Sequence, residues 1–84
     1  MIICNSEETK QEFIKMYQEN IKYYEISNAN LKEKRNKLDI DYKNNLISDD
    51  DYYKNICMSY NKERGNDWII AGFKRNLNEI VVKK

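Results

Sequence analysis

The 84-residue sequence contains no proline and no histidine, and it has only two glycines. A chain with so few residues that break a helix is expected to form long helices. The absence of histidine excludes imidazole both as a zinc ligand and as a general base beside a nucleophile. The sequence therefore predicts a helical chain without a histidine-dependent active site.

The chain also has few cysteines and little net charge. Cys4 and Cys57 lie far apart, with no Cys-x-x-Cys spacing. Two thiolates cannot complete the ligand shell of zinc, so we expect two reduced thiols and neither a metal nor a cofactor. The three consecutive acids that begin at Asp49 point about 100° apart on a helix and cannot converge on one ion. The net charge of +1 gives no global attraction to nucleic acid or to an anionic membrane. Because the chain lacks a histidine base and a glycine-rich phosphate-binding loop, it is predicted not to be an enzyme and to take no small-molecule substrate.

Long apolar runs are missing as well. No segment approaches the roughly 20 apolar residues that cross a bilayer, and the first residues lack the basic region of a signal peptide. Asn, Lys, Ile and Tyr together supply 42 of the 84 residues, and all four use A/T-rich codons. Such codon use is typical of low-GC bacteria, their phages and their plasmids. We therefore expect a cytoplasmic protein of a bacterial host, with no membrane segment.

The first half of the chain has the periodicity of a coiled coil. Ser6, followed by two glutamates, predicts the start of a helix over about residues 6–45. Residues on one face then recur at alternating intervals of three and four. Arg35 occupies the position between Leu31 and Leu38 in this rhythm, and the predicted oligomer seam consists of Ile14, Tyr17, Ile21, Tyr24, Asn28, Leu31, Leu38 and Tyr42. Cap-forming residues leave a kink near residues 28–30 as an alternative, but the unbroken phase favours a continuous helix. Asn28 and Arg35 are either solvated or set the register and oligomeric state.

The second half predicts a tight turn and two shorter helices. Asn45 tolerates the left-handed conformation that ends a helix, and Ser48 is predicted to cap a helix over about residues 48–64. Its apolar face is predicted to consist of Tyr53, Ile56, Cys57 and Tyr60. Gly65 is expected to end that helix with a bend, because the apolar phase does not carry on to Ile70.

A third helix is then expected over about residues 66–81. The predicted fold class is all-α, a single domain over residues 1–84. Its long N-terminal helix, tight turn and two shorter helices would form an antiparallel helical hairpin or a three-helix coiled-coil-like bundle. Short apolar runs at residues 1–4 and 80–82 leave a two-stranded pairing of the termini as an alternative, although a lone ribbon is marginal in water.

Residues 38–53 carry a resemblance to a known family. A leucine-bearing helix is followed by Asn, Leu-Ile-Ser, acids and an aromatic residue, and this order resembles the SHOCT-type short C-terminal helical hairpin. The matching residues are Leu38, Tyr42, Asn45, Leu46, Ile47, Ser48, Asp51 and Tyr52. The sequence departs from the pattern at Asn45, where the family usually has glycine, and it lacks the lysine-rich consensus that follows. The resemblance implies an oligomerising or adaptor hairpin without catalytic residues.

Tyrosine and basic residues supply the candidate contact surface. The inward-facing tyrosines are predicted to be Tyr17, Tyr24, Tyr42, Tyr53 and Tyr60. Tyr23, Tyr52 and Trp68 are predicted to be exposed partner contacts. The basic residues assigned to the same partner surface are Lys32, Arg35, Arg64, Lys74 and Arg75. The other members of the same basic clusters, which complete the predicted basic stripe, are Lys34, Lys37, Lys62, Lys83 and Lys84.

The leading functional hypothesis is a small homodimeric interaction protein that binds and occludes a protein partner. Its AT-rich composition suggests a phage or mobile-element inhibitor or adaptor, directed at a host protein such as a defence nuclease. The first alternative is a nucleic-acid-binding module, in which the basic residues form a stripe that contacts phosphates. The second alternative is a structural or assembly scaffold.

Overall fold

The computed structural model describes residues 2–82, so Met1 at the predicted N-terminal strand and Lys83 and Lys84 of the basic stripe lie outside the described residues. Two helices and two short strands make up this part of the chain. Their order is β1 (Ile2–Cys4), α1 (Glu7–Lys43), α2 (Asp49–Asn78) and β2 (Ile80–Val82).

Helix α1 begins where the sequence predicted. The Ser6 hydroxyl accepts a hydrogen bond from the backbone N–H of Thr9 at 3.2 Å, and Glu7 and Glu8 lie in the first turn. The helix then continues for 37 residues to Lys43. The prediction of a continuous first helix is confirmed, and the chain is not divided into two helices near residues 28–30.

The turn between the helices uses asparagine in place of glycine. Asn45 has a φ of 58°, the left-handed conformation that ends many helices. Its N–H donates to the carbonyl of Tyr42 at 3.1 Å, and the N–H of Leu46 donates to the carbonyl of Asp41 at 2.9 Å. This pair of bonds is a Schellman motif. Ser48 then caps α2 by accepting from the backbone N–H of Asp51 at 3.2 Å, so both predicted caps of the turn are confirmed.

Helices α1 and α2 run antiparallel and pack along their length. The residues of the predicted seam, here called the α1 seam, are all buried or half-buried. Near the turn Tyr42 contacts Tyr52, and near the strands Tyr17 contacts Phe73. The α1 seam is therefore covered by α2 of the same chain, and the C-terminal part of α2 packs on its own hairpin in this structure.

Helix α2 corrects the prediction of two shorter helices. It continues through Gly65 as one uninterrupted helix, and neither glycine has a positive φ. Its inward face, the α2 seam, again alternates intervals of four and three. The α2 seam consists of Tyr52, Ile56, Ser59, Glu63, Asn66, Ile70, Phe73 and Leu77, all buried or half-buried. The phase does carry through to Ile70, but three polar residues occupy the middle, and a search for apolar residues alone misses them.

The predicted inward face of this helix is wrong for the same reason. Tyr53, Cys57 and Tyr60 are exposed, because the seam passes through Ile56 and Ser59 instead. Both cysteines are free thiols, with Cys4 buried and Cys57 exposed.

The chain ends pair in a two-stranded parallel sheet. Ile2, Ile3 and Cys4 lie opposite Ile80, Val81 and Val82. The Cys4 and Ile80 side chains are buried, and both strands contact α1. This packing gives the short ribbon the support that an isolated pair of strands lacks.

The predicted fold class of an all-α hairpin or three-helix bundle is therefore wrong. Two long helices and a small parallel sheet form an extended rod of 64 × 16 × 12 Å. Its radius of gyration is 18.7 Å, whereas a compact domain of this length has about 12 Å. Residues 66–78 of the predicted third helix extend the second one, and Ile80 and Val81 belong to β2, so the described residues form no third helix.

Candidate interaction surfaces

Arg35 lies at the centre of a polar cluster inside the hairpin. Its Nη2 is 2.7 Å from Glu63 Oε2, and its Nη1 donates to Ser59 Oγ at 3.1 Å. The guanidinium also lies 4.3 Å from the ring centre of Tyr60. Because Arg35 is buried and its charge is neutralised by Glu63, it holds the helices together and is not presented to a partner.

A second polar cluster lies about two helical turns nearer the strands. Asn66 Nδ2 donates to Asn28 Oδ1 at 2.9 Å and to Ser27 Oγ at 3.2 Å. Asn28 Nδ2 in turn donates to Asp67 Oδ1 at 2.9 Å. Five residues of the two clusters lie at seam positions, and we call them the polar layer: Asn28, Arg35, Ser59, Glu63 and Asn66. Its polar atoms are matched across the interface, and no buried side-chain polar atom in the described part of the chain lacks a hydrogen-bond partner.

Tyrosines and carboxylates are paired at the turn end of the rod. The Tyr42 and Tyr52 rings lie 4.2 Å apart, and their hydroxyls donate to Asp49 and Asp39, each at 2.5 Å. The hydrogen bond to Asp49 raises the pKa of Tyr42 to about 12, and the bond to Asp39 raises the pKa of Tyr52. Tyr52 is half-buried and bonded within the chain, so this predicted contact residue does not project freely from the rod.

The Trp68 face is the outward surface of α2 formed by Arg64, Trp68 and Arg75. Trp68 leaves 79% of its surface exposed. The two arginines lie four positions before and seven positions after it, which places all three side chains on one side of the helix. Both arginines are exposed as well.

Tyr23 belongs to another apolar surface, on the outward side of α1. Its side chain is 67% exposed, and its ring lies edge-on to Tyr24 with the ring centres 5.2 Å apart. Met16 and Ile26, one or two helical turns away on the same side, are exposed too. Tyr23 and Trp68 thus project from different helices, and no ring contact between them is present among the described residues.

A groove opens between the helices in the half of the rod nearer the turn. It has a volume of about 520 Å³. Its lining residues are Leu31, Lys34, Lys37, Leu38, Asp41, Asn55, Met58, Ser59 and Lys62. This groove was not predicted from the sequence. A signal was present, because Lys34 and Asp41 directly precede the seam positions Arg35 and Tyr42 and therefore flank the helix interface.

The predicted basic stripe is divided by the fold. Arg35 is buried, Lys34, Lys37 and Lys62 line the groove, and Arg64 and Arg75 lie on the Trp68 face. Lys32 and Lys74 are exposed but line no part of the groove. The basic residues predicted to act together therefore do not form one continuous line of positive charge in the described part of the chain.

Within residues 2–82, no cluster of three or more Cys, Asp or Glu side chains is placed to hold a metal ion. None of the helices in that range is long and apolar enough to cross a membrane. A scan of protein-family models, a search of curated proteins and a search of solved structures found no match to this chain. The resemblance of residues 38–53 to the SHOCT-type hairpin stays a prediction.

Proposed function

We propose that this chain is a non-enzymatic interaction protein that binds a protein partner through the Trp68 face. The observation that carries the proposal is the exposure of Trp68 between two exposed arginines. Tryptophan and arginine are enriched among the few residues that supply most of the binding energy at protein interfaces. A tryptophan left in water forgoes the free energy of burying its large apolar surface, which a partner would recover.

The surface area of the rod supports this proposal. The chain exposes 6666 Å², whereas a compact monomer of its 10.2 kDa mass exposes about 5,300 Å². The excess of about 1,300 Å² is larger than the roughly 800 Å² that each partner buries in an interface of standard size. A partner that covered one side of the rod could therefore bury the area of an interface of standard size.

Self-association and the biological setting stay predictions. Because α2 covers the α1 seam, a homodimer of this form would use outward surfaces, unless α2 were displaced. The expectation of a phage or mobile-element inhibitor directed at a host defence nuclease is based on codon composition alone. Occlusion of a partner is compatible with a rigid rod that presents a tryptophan on its side.

Affinity capture from a low-GC bacterial lysate, followed by quantification of the captured protein, tests the proposal. Trp68→Ala should raise the dissociation constant for the captured partner by about 30-fold, which corresponds to about 2 kcal/mol at an interface hot spot. Leu46→Ala is the matched control, because it also removes an exposed apolar side chain but lies at the turn. Equal capture by both variants, with helix content unchanged by circular dichroism, would contradict the proposal.

A further inference from the structure

The groove between the helices combines an apolar floor with a basic rim. Leu31 and Ser59 are buried at its base, and Leu38 is half-buried beside them. Met58 lines the groove and leaves 59% of its side chain exposed. Leu31 and Leu38 are seven residues apart, so they lie about 10 Å apart along the helix axis. That distance equals two helical turns and matches the repeat of apolar side chains on another helix.

The rim carries more positive charge than the whole chain. Lys34 and Lys37 project from α1 and Lys62 from α2, with Asp41 as the single acid among the lining residues. Among the described residues, no carboxylate lies within 4.0 Å of the three ammonium groups. The net charge of the rim is +2, compared with +1 for the chain.

We propose that this groove binds an amphipathic helix of a protein partner, with leucine-like side chains facing the floor and acidic side chains along both edges. The inference rests on the proposed protein-binding function and adds the chemistry of a second contact surface. Apolar side chains at i and i+7 of the docked helix would cover Met58 and the exposed part of Leu38, with Leu31 beneath them, and flanking carboxylates would pair with the lysines. A nucleic-acid backbone would satisfy the ammonium groups but leave the apolar floor uncovered.

A synthetic peptide tests this chemistry directly. The probe is a helical peptide with leucine on one face and glutamate at both edges, and the comparison peptide has lysine in place of glutamate. Protein labelled with ¹³C at the methionine methyl groups reports the location of binding, because Met58 lines the groove and Met16 does not. The acidic peptide should shift the Met58 resonance and leave that of Met16 in place. The basic peptide should bind at least about tenfold more weakly.

Charge reversal supplies the matched variants. Lys34→Glu/Lys37→Glu/Lys62→Glu should weaken binding of the acidic peptide by at least about tenfold. The control variant reverses the exposed residues Lys15, Lys22 and Lys74, which lie toward the strand end and line no part of the groove, and reaches the same net charge. It should retain affinity within about twofold, because charges that far from the groove are screened by salt. Met58→Gln, which changes no charge, should also weaken binding and serves where the triple reversal alters helix content.

Four results would overturn the inference. The first is an unchanged Met58 resonance at millimolar acidic peptide, and the second is equal affinity for the two peptides. The third is a Met58 shift with duplex DNA at low salt but not with the acidic peptide, which would make the groove a phosphate site. The fourth is a Met58 shift that depends on protein concentration alone, which would identify a second copy as the occupant. Capture through Trp68 is measured separately, so failure of the groove and failure of the proposed function are distinguishable.

Discussion

The middle of the hairpin differs from its two ends in what fills the space between the helices. Toward the strands, Phe73 lies against Tyr17 and Tyr24 at ring-centre distances of 5.6 and 6.2 Å. Toward the turn, Tyr42 and Tyr52 are in ring contact. Between these aromatic ends, the polar layer joins the helices through an ion pair and side-chain hydrogen bonds.

The difference shows how a two-helix rod keeps its register. Apolar and aromatic side chains tolerate small shifts along the helix axis, because their attraction has little directionality. The Arg35–Glu63 pair and the Asn28–Asn66 bond lose their geometry if one helix slides or rotates. We therefore assign stability mainly to the ends and alignment to the polar layer. This assignment favours register control for Asn28 and Arg35 over the alternative in which they are simply solvated.

The largest expected effect comes from breaking the ion pair of the polar layer. Arg35→Met should lower the free energy of unfolding by about 3 kcal/mol, because Glu63 would keep a largely buried charge without its partner. Arg35→Met/Glu63→Leu should recover most of that loss, since both charges are removed and apolar contact replaces them. Urea unfolding followed by circular dichroism measures both variants.

Lys54→Met is the control for this comparison, because Lys54 is exposed on α2. It should change the free energy of unfolding by less than about 0.5 kcal/mol. If Arg35→Met were as stable as this control, the Arg35–Glu63 pair would contribute no more to the free energy of unfolding than an exposed salt bridge does. The polar layer would then not differ in stability from the surface of the rod.

An intermediate effect is expected at Gly65, beside the polar layer. Gly65→Ala should raise the free energy of unfolding by about 0.8 kcal/mol, because α2 is continuous there and alanine favours a helix more than glycine does. An added Cβ meets no atom within 4 Å, and Gly72 has equally open surroundings, so Gly72→Ala should give a similar gain. Destabilisation by Gly65→Ala alone in thermal unfolding would instead indicate the bend that the sequence suggested.

The smallest effect concerns the turn end and depends on pH. The hydrogen bond to Asp49 favours the neutral phenol of Tyr42, whose pKa of about 12 lies above the ordinary value of 10.0. The stabilisation from this bond is therefore complete below pH 10.0 and is lost as the pH rises through about 12. Asp49→Asn should return the pKa of Tyr42 toward 10.0, measured as phenolate absorbance in an alkaline titration.

Asp50→Asn is the matched control for the titration, because Asp50 lies in the same first turn but does not bond to Tyr42. It should leave the high-pH tyrosine component unchanged. Identical titration curves for the two variants would rule out the Tyr42–Asp49 bond in solution and would weaken the distinction between the turn end and the middle.

The parts of the fold that follow local rules were predictable from the sequence. Ser6, Asn45 and Ser48 define helix ends through side chains and backbone angles within a few residues. Helix α2 was predicted incorrectly because Ser59, Glu63 and Asn66 are polar, and only their partners on α1 make those positions interior. The exposure of Trp68 was predictable, whereas the groove was not, because its lining comes from two helices that are distant in sequence.

By itself, the sequence determined long helices, their caps and the α1 seam, since these depend on periodicity and on interactions within a turn or two of helix. Only the tertiary structure decided that α2 is one helix, that the chain ends pair in parallel and that Arg35 is buried. It also decided which lysines surround a groove. The physical reason is that a polar side chain belongs in an interior only where another part of the chain supplies its hydrogen-bond partner, and that partner lies far away along the sequence.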